Sequence, residues 1–202
     1  MAGEQRDFEA HQFIPQDYFA EVKREELCPH ERPLELDVGC GDGRFLMEMA
    51  AKVPDRQFLG TERLLGRVRK VCRKAQRLVL SNLQVLRLES GYALEWLLPA
   101  ASFDRVHLLF PDPWPKKKHH RRRMVQTNNL PHFARVLKPG GEFLFKTDHP
   151  AYFEAAMECL TEASFFEHLE WHDEMFYPQT DFEELWMGQG KPIYRVRFKK
   201  IG

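Results

Sequence analysis

The chain has 202 residues, and 30 basic and 30 acidic residues give it a formal net charge of +0. This length suits one domain, with or without a short extension. No apolar run is long enough to span a bilayer, the N-terminus has no signal-peptide core, and the four scattered cysteines lack metal-ligand spacing. We therefore expect a cytoplasmic protein with reduced thiols and no membrane partner.

Short apolar segments alternate with longer amphipathic ones along most of the chain. The predicted strands are residues 34–38, 57–61, 83–88, 105–110, 142–147, 167–172 and 193–199. The predicted helices are residues 16–24, 43–52, 64–80, 93–98, 122–136 and 151–163.

This alternation predicts an α/β, Rossmann-like fold with a mostly parallel seven-stranded sheet and helices on both faces. Alternating polar and apolar residues at 193–199 favour one antiparallel strand near the C-terminus. We expect residues 1–33 to be an N-terminal extension that packs on or leads into the core. Residues 34–202 would then form a single domain.

A glycine-rich loop, Asp37-Val38-Gly39-Cys40-Gly41-Asp42-Gly43, follows the first predicted strand. Its glycines let the backbone turn sharply and approach a ligand closely, although a plain tight turn is the alternative. The spacing differs from the G-x-G-x-x-G of dinucleotide sites. Asp37 would repel a pyrophosphate, and Glu62, at the end of the next strand, suits ribose hydroxyls. These acids favour S-adenosylmethionine, which has a ribose and cationic groups but no phosphate.

The most distinctive segment, Phe110-Pro111-Asp112-Pro113-Trp114-Pro115, follows the fourth predicted strand. Six Lys or Arg and two His fill the next eight positions, 116–123. The two prolines hold Asp112 on a stiff, non-helical turn. An acid, an aromatic ring and a block of cations suit an aromatic base on a polyanionic backbone. A solvated basic surface is the simpler explanation of the cations alone.

Charge is unevenly distributed along the chain despite the neutral total. Residues 63–77 contain seven Lys or Arg and no acid, and residues 116–123 form a second basic stretch. Residues 151–189 contain many acids and no Lys or Arg. A basic face of this kind can bind nucleic acid, with an affinity that falls as salt rises.

These segments together resemble a known family. The glycine loop looks like the cofactor loop of class I S-adenosylmethionine-dependent methyltransferases. Residues 110–116 and 121–123, with Lys146-Thr147-Asp148 and Thr180-Asp181-Phe182-Glu183, resemble the bacterial tRNA (guanine-N(7)-)-methyltransferases. The resemblance implies the class I methyltransferase fold, S-adenosylmethionine as cofactor without a metal, tRNA as partner, and methylation of ring nitrogen 7 of guanine. Both a monomer and a homodimer are compatible with it.

The resemblance also implies roles for individual residues. Asp112 matches the catalytic acid, which also lies against the cofactor. The cofactor-binding positions are Asp37, Gly39, Gly41, Glu62, Arg63, Tyr92 and Asp112. The substrate-binding positions are Lys116, Asp148, Thr180, Asp181, Phe182 and Glu183. The expected RNA contacts are Trp114, Lys118, His119, His120, Arg121, Arg122 and Arg123.

Several of these positions have a second interpretation. Tyr92 stands where the family usually has an Asp near the adenine, so the adenine could meet the Tyr92 ring, the backbone or Glu89. Asp148 and Thr180 could equally cap helices. Trp114 could pack the loop instead of stacking on a base, and Lys116 could be solvated. We expect the two histidines, His119 and His120, to be solvated or to face RNA, not to bind metal.

Three other functions compete with tRNA methylation as explanations of this sequence. A methyltransferase for an exocyclic amino group often has Asp/Asn-Pro-Pro-aromatic after the fourth strand, whereas this chain has Pro-Asp-Pro-Trp followed by a basic run. The glycine spacing and Asp37 argue against a nicotinamide-dependent oxidoreductase. A non-catalytic RNA-binding module on the same fold is the third rival, and Tyr92 is the feature that keeps it open.

Overall fold

The computed structural model describes residues 10–172 and 174–202. Its strands are β1 (Gln12–Phe13), β2 (Leu34–Val38), β3 (Gln57–Thr61), β4 (Leu83–Leu86), β5 (Phe103–Leu109), β6 (Leu137–Thr147), β7 (Phe166–Leu169) and β8 (Tyr194–Lys200). Its α-helices are α1 (Arg24–Leu27), α2 (Arg44–Lys52), α3 (Leu65–Arg77), α4 (Ser90–Tyr92), α5 (Leu130–Val136), α6 (Pro150–Glu162) and α7 (Asp181–Gly188). A π-helical turn follows α4 at Ala93–Leu97, and a 3-10 helix spans Lys117–Arg122.

The strands form one sheet in the order β1-β4-β3-β2-β5-β6-β8-β7. Pairing is parallel from β1 to β6, and β8 runs antiparallel to both β6 and β7. The predicted α/β fold, with a mostly parallel sheet and one antiparallel strand near the C-terminus, is therefore confirmed. The sheet has eight strands and not the seven predicted. The additional strand, β1, pairs two residues with β4 and is too short to show a period-two pattern.

Helices cover both faces of this sheet, as predicted. Adjacent residues of β3 show this, because Phe58 packs in one apolar cluster and Leu59 in the other. The Phe58 cluster contains the buried side chains of α2 and α3, and the Leu59 cluster contains those of α5 and α6. None of the helices in the described ranges is long and apolar enough to cross a membrane.

Two predicted helices are wrong over most of their length. Of residues 16–24, only Arg24 is helical, and the Val22 amide donates to Leu97 O (2.9 Å) instead of to a helical turn. Residues 122–129 are not α-helical; Arg123 has extended ψ (143°), and α5 begins at Leu130 with a proline in its first turn. In both segments, contacts with distant parts of the chain outweigh local helical preference.

The parallel strands β2 to β5 all end at one edge of the sheet. Ligands of such folds bind at this edge. The loops that leave it carry several of the predicted site residues. Part of the proposed N-terminal extension also reaches the sheet, through β1. The domain division at residue 34 stays a prediction.

Candidate active site

A cavity of about 500 Å³ opens at the carboxyl edge of the sheet. Loops after four neighbouring strands and the N-terminus of α7 surround it. The predicted site residues among its lining are Asp37, Gly39, Gly41, Glu62, Arg63, Asp112, Thr180, Asp181 and Phe182. The fold thus brings together residues that lie up to 145 positions apart in the sequence (37 to 182).

The glycine loop forms the floor of this cavity. Gly39 and Gly41 have φ of 76° and 57°, a left-handed conformation that glycine adopts without a steric penalty. A Cβ at Gly39 would meet nothing within 4 Å, so the backbone there faces open space. The Gly39 amide donates to Thr61 Oγ1 (3.1 Å), which fixes the loop to the end of β3. A ligand can therefore lie directly against the loop backbone.

Asp37, in β2, is a buried acid beside the glycine loop. It is only 3% exposed, and burial raises its pKa to about 7. A carboxyl in this environment gains a strong electrostatic partner if a cation enters the cavity. Its position therefore suits the positively charged end of a ligand.

Glu62 follows β3 on the adjacent wall and is 6% exposed. Its Oε1 accepts a hydrogen bond from the Leu64 amide (2.7 Å), and its Oε2 lies 3.7 Å from Arg67 Nη1. These contacts orient the carboxylate and leave lone pairs for a further donor. Arg63, next in the chain, is exposed and lines the same wall.

Asp112 lies exposed at the cavity rim, after β5. Phe110, two residues before Asp112, and Trp114, two residues after it, have φ of 51° and 45°. A left-handed conformation costs a non-glycine residue about 1–2 kcal/mol. Strained backbone of this kind persists only where the surroundings fix it, and it clusters at functional sites. The Phe110 amide donates to Lys146 O (2.8 Å), which anchors the start of the turn.

Arg123 anchors the same turn from the other end. Its Nε donates to Pro113 O (2.8 Å), and its guanidinium lies 4.7 Å from the Tyr152 ring centroid. Arg123 is only 4% exposed, and burial lowers its pKa. This side chain is therefore committed inside the protein and holds the Asp112 turn, and the RNA contact at Arg123 stays a prediction.

The other cations of this segment differ from Arg123 because they lie on the surface. Lys116, Lys117, Lys118, Arg121 and Arg122 are exposed, and His119 and His120 are half-buried. Trp114 is half-buried, with the Arg122 guanidinium 4.9 Å from its ring centroid and the His119 ring edge-on at 5.8 Å. No group of three or more potential metal ligands occurs within residues 10–172 and 174–202.

The N-terminus of α7 closes the cavity. Thr180 caps the helix, since its Oγ1 accepts from the Glu183 amide (3.0 Å), which confirms its predicted capping role. Arg44 of α2 holds this end through Asp181 (3.4 Å) and Glu184. The reciprocal bond of a capping box is not part of this cap: Glu183 is buried and accepts two bonds from Lys146 Nζ (2.8 and 3.0 Å). Glu183 therefore does not line the cavity.

Comparison with known proteins agrees with this geometry. A family model described as "Putative methyltransferase" matches residues 31–196. A tRNA (guanine-N(7)-)-methyltransferase of Rhizobium meliloti (strain 1021) is 34% identical over 182 residues, which cover 85% of this chain and 76% of that protein. One from Enterococcus faecalis is also 34% identical and covers 89% of this chain and 86% of its own. The chain belongs to the tRNA (guanine-N(7)-)-methyltransferase family.

Solved structures support the fold of this family member. The 16S rRNA methyltransferase KamB superposes with a TM-score of 0.65 over 91% of this chain and 95% of its own, at 20% identity. A structure described as an antibiotic related methyltransferase gives 0.64 at 18% identity, over 95% and 98% of the two chains. At these identities the likeness concerns the fold alone.

Tyr92 of this tRNA (guanine-N(7)-)-methyltransferase family member does not line the cavity. Its hydroxyl donates to Tyr18 O (2.9 Å), which ties α4 to the N-terminal segment. The adenine contact at Tyr92 stays a prediction. Glu89 and Ser90 line the cavity instead, and Glu89 accepts from the Gly91 and Tyr92 amides (2.9 and 2.8 Å).

Two predicted substrate residues, Lys116 and Asp148, lie outside the cavity lining. Lys116 is exposed immediately before the 3-10 helix. Asp148 follows β6 and lies 3.6 Å from Lys191 Nζ. The alternative that Asp148 caps α6 is wrong, because His149 is the N-cap and its Nδ1 accepts from the Tyr152 amide (3.3 Å). Substrate contact by Lys116 and Asp148 stays a prediction.

Sequence reasoning missed a buried polar chain beneath α7. His107 Nε2 donates to Glu35 Oε2 (2.9 Å), and His107 Nδ1 lies 2.8 Å from the Tyr177 hydroxyl. Burial alone would raise the Glu35 pKa, but His107 and nearby arginines hold it below its usual value. The Lys146 ammonium lies 4.7 Å from the Tyr177 ring centroid. The sequence did carry a signal for these contacts, namely Glu35 and His107 within the mostly apolar strands β2 and β5.

Proposed function

We propose that this chain transfers the methyl group of S-adenosylmethionine to ring nitrogen 7 of a guanine in tRNA, giving 7-methylguanosine. One observation carries the proposal: a strained Pro-Asp-Pro turn holds Asp112 at the rim of a cavity floored by the glycine loop. Membership of the tRNA (guanine-N(7)-)-methyltransferase family supports the substrate and the reaction. We also propose that the protein acts in the cytoplasm.

The residues around the cavity fit S-adenosylmethionine. Its volume, about 500 Å³, lies in the range of small-ligand pockets. The buried Asp37 would hold the ammonium end, and Glu62 would accept hydrogen bonds from the ribose hydroxyls. Glu89 and Ser90 would lie near the adenine. Two acids on adjacent walls are unfavourable for a phosphate-containing cofactor.

The reaction requires this chain mainly to position the cofactor and the guanine. When bound, S-adenosylmethionine supplies an electrophilic methyl group on a sulfonium. Ring nitrogen 7 of guanine has a lone pair and no proton, so no residue needs to act as a base. The rigid turn would hold Asp112 where its carboxylate accepts hydrogen bonds from the donor edge of the guanine. The same carboxylate would stabilise the positive charge that develops on the purine.

Cations beside the turn would bind the tRNA backbone. Lys116, Lys118, Arg121 and Arg122 are exposed and can contact phosphates without moving buried groups. His119 and His120 would lie against the same RNA, and Trp114 can stack on a base where Arg122 does not cover its ring. Thr180, Asp181 and Phe182, which line the cavity, are proposed substrate contacts, and so is Asp148, which lies outside its lining.

Methyl transfer from labelled S-adenosylmethionine to unmodified bulk tRNA, with nucleoside analysis, tests the proposal. We expect the label in 7-methylguanosine. Label in another nucleoside would instead indicate a different S-adenosylmethionine-dependent RNA methyltransferase. tRNA binding without any transfer would indicate a non-catalytic RNA-binding module on the same fold.

A further inference from the structure

The outer surface of α3 carries a set of cations that the proposed active site leaves mostly unused. The chain has no acid between Glu62 and Glu89. The buried residues of α3 face the sheet, so its cations lie on the remaining surface. These cations are Arg67, Arg69, Lys70, Arg73, Lys74 and Arg77, and Arg63 adds a further one just before the helix.

Ion pairs with acids occur at the N-terminal end of this surface. Arg67 and Lys70, in the first half of α3, share Asp42 as an ion-pair partner. Within residues 10–172 and 174–202, no ion pair involves Arg73, Lys74 or Arg77. The second half of α3 therefore holds three cations, Arg73, Lys74 and Arg77, that form no ion pair with an acid in the described part of the chain.

The position of α3 connects this surface with the active-site cavity. Arg63 and Arg67 line the cavity on one side, and Asp112, just before the basic 3-10 helix, lines it on the other. The strands that precede these two walls, β3 and β5, flank β2, so they lie about 10 Å apart. Basic surfaces thus extend from both sides of the cavity mouth.

We propose that the exposed surface of α3, centred on Arg73, Lys74 and Arg77, binds the phosphate backbone of tRNA. It would act together with the basic segment 116–122, and the proposal rests on the proposed function. Arg73 and Arg77 are four residues apart and so lie on one side of the helix. A 13-residue helix spans roughly 20 Å, enough to follow several phosphates. Val68, Val71, Cys72 and Ala75 of α3 are buried against the sheet and are therefore not available to a lipid surface.

The salt dependence of tRNA binding tests this proposal, because each phosphate contact releases counterions. The variant is the triple substitution Arg73→Gln, Lys74→Gln and Arg77→Gln. We expect its affinity for tRNA to fall by about tenfold or more near 0.1 M salt. The slope of log K against log salt should become shallower by about 2 to 3, from about 0.7–0.9 per lost contact. Unchanged affinity for S-adenosylmethionine verifies that the variant is folded.

A control variant replaces two cations outside α3 and outside the basic segment 116–122, Lys23→Gln before α1 and Lys199→Gln on β8. We expect this variant to keep the affinity and the salt slope of the wild type. If the triple variant also keeps both while the wild type methylates tRNA, the α3 proposal is overturned and the proposed function stands. A wild type that neither binds nor methylates tRNA would overturn both proposals together.

Discussion

Asp37 and Asp112 are both acids near the ends of neighbouring strands, yet their surroundings differ. Asp37 is 3% exposed, with a pKa raised by burial to about 7, whereas Asp112 is exposed at the cavity rim. A buried carboxyl favours an incoming cation, and an exposed one on a stiff turn can meet a base from a large substrate. The two positions therefore suit cofactor binding and catalysis respectively.

Burial of Asp37 predicts how stability without cofactor depends on pH. Between about pH 4 and pH 7 the folded protein keeps a proton on Asp37 that the unfolded chain has lost. Stability should therefore fall as the pH rises through this window and level off above it. Urea unfolding of the wild type and of Asp37→Asn, at pH 5 and pH 8, measures the effect. If Asp37→Asn loses as much stability as the wild type between these values, the burial of Asp37 is not its cause.

Single residues were predictable where the chain itself restricts them. Asp37, Glu62 and Asp112 follow from strand ends, glycines and prolines, all of which are local in sequence. The contacts of the Tyr92 and Arg123 side chains were not predictable, because each side chain has a partner that is distant in the sequence. Those partners are Tyr18, 74 positions from Tyr92, and Tyr152 on α6.

At the scale of elements, the ion pair of Lys146 with Glu183 attaches α7 to the sheet. Both side chains are buried; burial lowers the pKa of Lys146, and Glu183 partly offsets this effect. Lys146→Met should destabilise the fold by about 3–5 kcal/mol, because it leaves the Glu183 charge buried without its partner. Urea unfolding gives this value.

The double variant Lys146→Met and Glu183→Met separates charge burial from packing. It removes both charges, so most of the lost stability should return. If the double variant is as unstable as Lys146→Met, then packing around α7, not the unpaired charge, determines the loss.

Backbone strain in the turn after β5 can be measured at Phe110. Phe110 has φ of 51°, a conformation that glycine adopts freely and alanine does not. Both Phe110→Ala and Phe110→Gly lose the same ring contacts. The glycine variant should nevertheless be the more stable of the two by about 1 kcal/mol. Equal stability, or a more stable alanine variant, in matched urea titrations would show that the turn is not strained at this residue.

Elements were predictable where a regular pattern met a clear boundary. Residues 64–80 were predicted as a helix, and α3 covers Leu65–Arg77, because its apolar residues recur with helical spacing. The segment 16–24 has only Tyr18, Phe19 and Val22 at such spacing, and hydrogen bonds link it to Tyr92 and to the π-helical turn instead. α7 was anticipated only as a cap at Thr180, since its attachment depends on Arg44 and Lys146 from distant elements.

For the whole molecule, parallel topology explains why the site is at one edge. Strands alternating with helices must run parallel, so the loops after β2, β3, β4 and β5 meet at their carboxyl ends. The sequence was therefore sufficient to predict the fold class and most of the cavity. The eighth strand and the closure of the cavity by α7 were not predictable, because both depend on contacts between remote segments.

Asp112 is proposed to take part in methyl transfer to guanine in tRNA. The most direct test measures transfer from labelled S-adenosylmethionine to unmodified tRNA by the wild type and by Asp112→Ala, with nucleoside analysis. Because Asp112 is exposed, the substitution should leave unfolding free energy within about 0.5 kcal/mol of the wild type. We predict 7-methylguanosine from the wild type and at least a hundredfold slower transfer by Asp112→Ala. Near-normal turnover by folded Asp112→Ala would contradict the proposed role of Asp112 in methyl transfer.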